Sequence, residues 1–258
     1  MVCRVVSSVP VSPGERLFAR YAHAPNALGY CGPAAARSLQ QVACGGGEDV
    51  DVRRLARQFS GAWPYQELIG ELAGADPLSE VVGRAYWTGN EVTDEVDRDR
   101  LGGLLLERFG SQAGHYWDHL TTDLLAELTP THTFHVLGVY PWSRLLPTGL
   151  PEPLHVLDSC RIRPAEVVEV RGDELLVRTD TLTWDGRELG LAPVAEESVG
   201  YRTDDGDFLA GTPARGDLVA LHWGFACDRL TAADAAALRA GTETQLRLTN
   251  PRLRRASA

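Results

Sequence analysis

The chain has no lysine: all 25 of its basic residues are arginine. It therefore has neither a Schiff-base amine nor the phosphate-loop lysine that reaches a bound nucleotide's phosphates, so no nucleotide cofactor is expected. There is no apolar run of ~18 residues, the minimum for a membrane-spanning helix. The segment Met1 to Phe18, interrupted by Arg4, Pro10 and Pro13, lacks the apolar centre of a signal peptide. A cytoplasmic protein with no membrane partner is expected. None of the five cysteines, Cys3, Cys31, Cys44, Cys160 and Cys227, forms a C-x-x-C pair. Their odd number and scatter argue for reduced thiols rather than a disulfide framework. No stretch alternates Arg with aromatics, and the net charge of −10 is spread along the chain. Nucleic acid is not an expected partner.

With 258 residues, 44% hydrophobic and 23% charged, the chain can bury one large core or two modest ones, and two domains are expected. From Gly14 to about Pro130 the apolar period is helical. Val52, Leu55, Ala56 and Phe59 share a face, as do Leu68 and Leu72. Asp76-Pro77 opens a helix through Val82 and Ala85, and Leu101, Leu104, Leu105 and Phe109 mark another, closed by Gly110. The segment from His115 to Leu128 completes this half. Phe134 to Tyr140 and Leu154 to Leu157 then read as two short strands.

Beyond Cys160 the pattern is that of hairpins, with Arg171-Gly172-Asp173 and Asp185-Gly186 as turns. Glu196 to Gly216 reads as a loop, Asp217 to His222 as a strand, and Thr231 to Asp234 as a capping box opening a last helix. The expected class is α+β. A mainly helical domain with a short β pair at its end spans 1–156, and a small OB-like β-barrel with a C-terminal helix spans 157–258.

Three pieces of the second half carry a resemblance: Cys160-Arg-Ile-Arg-Pro164, then Ala165 through Gly172-Asp173, then Gly216-Asp-Leu-Val-Ala-Leu-His-Trp-Gly-Phe-Ala226. In order and spacing they resemble the HypC/HupF family of [NiFe]-hydrogenase assembly chaperones over roughly a third of the chain. The whole chain is also similar to an uncharacterised actinobacterial family found beside hydrogenase genes. The resemblance implies a maturation chaperone that binds the hydrogenase large-subunit precursor and a HypD-type iron-sulfur scaffold protein, and helps deliver the Fe(CN)2CO unit. It also implies that Cys160 and His222 meet the iron transiently. A thiolate is a soft donor for low-spin iron, and a neutral imidazole is a second ligand that can let go. In the family this cysteine stands at the mature N-terminus, whereas 159 residues precede it here.

A second motif points elsewhere. Tyr30-Cys31-Gly32-Pro33-Ala34-Ala35 ahead of a helical run is similar to the nucleophile segment of papain-like cysteine peptidases. On that reading the chain is a thiol hydrolase or acyltransferase. Cys31 would be activated at a helix start, His135 would be its base, and Asp158, on a neighbouring strand, would orient the imidazole. His115 and His119, one helical turn apart, with His132 nearby, form a further candidate metal pair that lacks an identifiable third ligand.

Overall fold

The helical part starts at a capping box. Ser12 Oγ accepts from the Glu15 N–H at 3.2 Å, and Glu15 Oε2 accepts from the Ser12 N–H at 2.9 Å. Pro13, whose missing N–H costs nothing at this position, follows as the first residue of α1 (Pro13–Ala27). The computed structural model describes residues 10–110 and 119–256. After α1 come α2 (Ala36–Ala43), α3 (Val52–Ala56), α4 (Trp63–Ala73), α5 (Glu80–Trp87), α6 (Glu91–Glu95) and α7 (Arg98–Phe109). The expected apolar faces turn inward: Val52, Phe59, Leu68, Val82, Ala85, Leu101 and Leu105 are buried in one core with Phe18, Tyr21, Tyr65 and Tyr86.

The two expected strands after Pro130 are helices. His132 to Phe134 form α8, which runs into a π-helical turn, His135–Val139, closed by the Tyr140 N–H on the His135 carbonyl at 2.8 Å. The residues from His132 to Tyr140 are all buried. A run enclosed on every side shows no period by which strand and helix can be told apart. After α9 (Trp142–Leu145), the segment Leu154 to Leu157 lies inside α10 (Pro151–Cys160). The prolines of its first turn leave no intrahelical donor missing there, and Val156, Leu157 and Cys160 form the buried side. The expected boundary between residues 156 and 157 falls within this helix.

The sheet begins after Cys160. β1 (Arg163–Arg171) turns at Gly172 into β2 (Glu174–Thr179). A separate hairpin follows, β3 (Leu182–Trp184) with β4 (Leu189–Leu191), turned by Asp185-Gly186, where Asp185 Oδ1 accepts from the N–H groups of Arg187 and Glu188. The stretch expected as a loop carries β5 (Ala195–Gly200) and the small pair β6 (Arg202–Thr203) and β7 (Gly206–Asp207). β8 (Leu218–His222) and β9 (Phe225–Leu230) complete the set. The main sheet runs β1-β2-β5-β9-β8 and closes on itself, with β8 antiparallel to β1 and a parallel contact between Gly200 of β5 and Phe225 of β9. Val167, Leu175, Val177, Val199, Val219 and Leu221 fill its interior.

α11 (Ala232–Ala256) opens at the expected capping box, Thr231 with Asp234. It ties the sheet to the helices: Gln245 Nε2 donates to the Glu127 carbonyl at 3.0 Å, and Arg252 pairs with the Glu127 carboxylate at 2.7 Å. The outer side of the sheet also enters the helical core, where Ala220, Cys227 and Leu230 pack in the same cluster as Leu17 and Tyr21. Asp228 of β9 bridges Arg20 of α1 at 3.6 Å and Arg84 of α5 at 3.0 Å. The molecule is α+β, with a helical N-terminal part, a β-sheet region and a C-terminal helix. Among the described residues no helix is long and apolar enough to cross a membrane.

Candidate metal centre

Three element ends converge on one point: Cys160 is the last residue of α10, His222 the last of β8, and His132 the first of α8. One ligand atom from each lies within 4.8 Å of the others, and all three residues are buried. The Cys160 Sγ to His132 Nε2 separation is 3.7 Å.

Local geometry explains the convergence. The β8–β9 hairpin turns through Trp223 (φ 54°) and Gly224 (φ 69°), the consecutive left-handed residues of a type I′ turn. Trp223 is the one non-glycine residue at positive φ among the described residues. That conformation costs a bulky side chain on the order of 1–3 kcal/mol unless its surroundings hold it. Here the Trp223 N–H donates to the Ser159 carbonyl at 2.8 Å, and its indole stacks on Tyr30 with ring centroids 3.9 Å apart. The hairpin is thereby fastened to the end of α10, beside Cys160.

The second nitrogen of each imidazole is oriented. His222 Nδ1 lies 2.7 Å from the Tyr21 carbonyl, which can only accept, so Nδ1 carries the proton and Nε2 a lone pair. No donor faces that buried Nε2, since the Cys160 carbonyl near the ring can only accept. His132 Nδ1 is 2.9 Å from the Tyr86 hydroxyl, while its Nε2 lies 3.1 Å from the Cys160 carbonyl. Two tautomers fit these contacts. Tyr86 can donate to Nδ1 while Nε2–H donates to Cys160, or Nδ1–H can donate to a Tyr86 hydroxyl whose own proton goes to the Gly61 carbonyl at 2.8 Å. The second leaves Nε2 as a donor toward a metal.

Burial governs the protonation states. It lowers His222 to about 4 and His135 to about 3, and it holds His132 well below the ordinary range, with His222 and His135 adding to the effect. The imidazoles are neutral at neutral pH, as metal ligands must be. Burial pushes the Cys160 thiol up to about 12, opposed by the Trp223 indole. Two nitrogens and a sulfur without a carboxylate suit zinc, iron, nickel or copper, not magnesium or calcium.

Beside this trio is a small cavity of about 30 Å³, enough for the centre of one or two water-sized groups. Cys31 and His135 line it together with His132, Cys160 and His222. The two candidate sites of the sequence thus face one space. The proposed triad does not assemble there, because Asp158 lies on α10 and is engaged elsewhere. Its Oδ1 accepts from Arg161 Nε at 2.9 Å and from the Leu182 N–H at 2.8 Å, and its Oδ2 lies 3.8 Å from Arg163. At His135 Nδ1 stands the Tyr65 hydroxyl, 3.3 Å away. Cys31 is also not at a helix start. It lies in the turn before α2, which begins at Ala36, and burial together with Cys160 raises its thiol well above the ordinary range. Asn26 Nδ2 holds this turn by donating to the Cys31 carbonyl at 2.7 Å.

Of the histidine pair read from the sequence, His115 lies outside the described residues, and His119 is half-buried and not part of the trio. The sequence groups His132 with that pair, whereas the structure sets it opposite Cys160. The signal was its spacing from His135, one helical turn on, which a strand reading hides. Cys31, Cys44, Cys160 and Cys227 are free thiols. No curated protein and no solved structure matches the chain. DUF6390, a family of unknown function, matches residues 10–256.

Proposed function

The chain belongs to the DUF6390 family, and we propose that it is a [NiFe]-hydrogenase maturation factor that holds the Fe(CN)2CO unit as cargo at Cys160 and His222 for the large-subunit precursor. On this reading the closed sheet is an OB-like barrel, and a HypD-type scaffold supplies the iron. One observation carries it: two residues singled out by motif, at opposite ends of the sheet in sequence, end beside each other in a buried cavity with donor atoms within 4.8 Å. Neutral imidazoles and a thiol that yields its proton to a metal are the donors such a cargo requires.

The arrangement departs from a mobile terminal cysteine in a way that bears on mechanism. Cys160 is fixed at a helix end, so the cargo must move and the cysteine cannot swing out. The wall over the cavity includes the stacked Tyr30 and Trp223, adjacent in sequence to Cys31 and His222. Parting that pair would open the wall on that side. The thiol-hydrolase reading is the weaker one. Its nucleophile is held protonated by burial, and the carboxylate meant to orient His135 is committed to Arg161 and the Leu182 N–H.

The test is co-expression with a tagged hydrogenase large-subunit precursor. Co-purification is expected, with infrared bands of metal-bound cyanide and carbon monoxide on the isolated chain. Cys160→Ala should abolish the bands and hydrogenase activity, while Cys31→Ala should leave both. Normal maturation with a folded Cys160→Ala chain and failure with Cys31→Ala would reverse the assignment.

A further inference from the structure

We propose that His132, from the helical half, is a third metal ligand, so that the cargo is held by a His132–Cys160–His222 tripod whose open side faces the cavity and receives an anionic ligand on the metal. This rests on the reading of Cys160 and His222 as iron ligands and adds to it a residue outside the barrel motif.

Distances support the tripod. With bonds of ~2.0 Å to nitrogen and ~2.3 Å to sulfur, tetrahedral donors sit roughly 3.5 Å apart. The Cys160 Sγ to His132 Nε2 separation of 3.7 Å is already close to that, and the widest separation within the trio, 4.8 Å or less, closes with a shift on the order of 1 Å. The unpartnered His222 Nε2 is a buried polar atom that a metal would satisfy. His222 Nδ1 has a fixed acceptor in the Tyr21 carbonyl, and His132 Nδ1 has one in the Tyr86 hydroxyl when that hydroxyl donates to Gly61, as the outer partners of ligating imidazoles do. Cys160 also ends a helix, where the backbone carbonyls favour a cation.

Three protein donors leave one position of a tetrahedron, or three of an octahedron, for exogenous ligands. The remaining wall is mostly apolar, yet Trp87 and Trp223 both line it, and the Trp87 indole N–H has no hydrogen-bond partner. Trp223 is close enough to Cys160 to favour its thiolate. The Trp87 N–H, buried in the wall, is a donor suited to a small anion such as a metal-bound cyanide.

Cobalt(II) is the probe. The purified chain is expected to bind one Co(II) with a thiolate charge-transfer band that Cys160→Ser removes. Azide should shift the visible bands, and Trp87→Phe should weaken azide binding several-fold. His132→Asn should weaken Co(II) at least ~100-fold, beyond the loss that removing an outer partner causes. Because that buried variant can fail to fold, the native Co(II) protein supplies a second readout. Proton NMR should show two exchangeable, strongly shifted imidazole N–H resonances, from His132 and His222, both slow to exchange. A single such resonance, a folded His132→Asn chain with unchanged affinity, or bands indifferent to azide would overturn the tripod. If the precursor co-purifies and His132 proves dispensable for metal, the tripod fails and the maturation reading stands. If Co(II) binds as described and no precursor is captured, the tripod stands and the maturation reading fails.

Discussion

Acidification should destabilise the metal-free protein chiefly through the three imidazoles of the cavity. His132, His135 and His222 have folded pKa values below the ordinary 6.5, with His222 at about 4 and His135 at about 3. Because their folded values are depressed, the unfolded chain binds more protons than the folded one at pH values below about 6.5. Their contribution is therefore complete above 6.5 and is lost as pH falls toward 4. Each uncompensated proton is worth about 1.4 kcal/mol per pH unit. Between pH 6.5 and 5 the three together cost about 5 kcal/mol, a large share of the ~5–15 kcal/mol that holds an ordinary domain folded. Groups facing them do not offset this, since Cys31, Cys160, Tyr65 and Tyr86 are all shifted upward and remain neutral in that range. Asp228, raised by burial, works in the opposite sense and is a single group. Thermal melting in chelator should show Tm falling by about 10–20 °C over that interval. His135→Gln should reduce the slope by up to a third, since buried His23, also lowered, adds to the total. A flat Tm, or an unchanged slope in the variant, would refute the account.

Other outcomes follow from individual contacts. Arg161, buried with its guanidinium between Asp158 and Asp180, each at 2.9 Å, should not tolerate Arg161→Met. Asp180 and Asp158 would keep only their longer pairings, to Arg239 at 3.4 Å and to Arg163 at 3.8 Å, at a cost of up to about 3 kcal/mol in chemical denaturation. Gly32→Ala drives a Cβ into the Phe59 ring at a φ of +77°, so a Tm loss corresponding to more than about 2 kcal/mol is expected. Alkylation mapped by mass spectrometry should reach half-exposed Cys44 well before Cys31, whose thiol burial holds protonated, and should spare Cys160 and Cys227 until unfolding. Faster labelling of Cys31 than Cys44 near neutral pH would restore the nucleophile reading.

What could be read from the sequence was whatever leaves a local signature. The capping box at Thr231 and Asp234, the Asp185-Gly186 turn and the inward face of Leu101 and Leu105 each depend on neighbours within a few residues. The errors share another cause. From His132 to Tyr140 every residue is buried, and tertiary packing, which the local pattern does not contain, decided between strand and helix. That same error hid His132. On a strand, His132 and His135 would point to opposite faces; on a helix they lie one turn apart and both reach the cavity. Asp158 was misplaced for the same reason, because α10 turns it toward Arg161, one helical turn on.

The ends of the helices decide between cation and nucleophile. A reactive thiol gains from a helix N-terminus, where exposed N–H groups stabilise a thiolate. Neither cavity cysteine has that environment: Cys31 lies in a turn ahead of α2, and Cys160 lies at the carbonyl end of α10. A bare thiolate at Cys160 would face the negative end of the helix dipole inside an apolar wall, and its pKa of about 12 reflects that burial. A thiolate beneath a metal ion is different, since the pair is cationic or neutral overall and the same carbonyl end then attracts it. Neutral imidazoles, useless as acid–base groups near pH 7 when their pKa values sit near 3 or 4, are ready ligands without further change. Each feature that weakens this cavity as a hydrolase site favours it as a metal site, and the pH at which Co(II) binds should reveal which holds. Binding that needs release of one proton, from Cys160, should tighten about tenfold per pH unit below the thiol's own titration. Affinity independent of pH between 6 and 8 would mean that the sulfur is not a ligand.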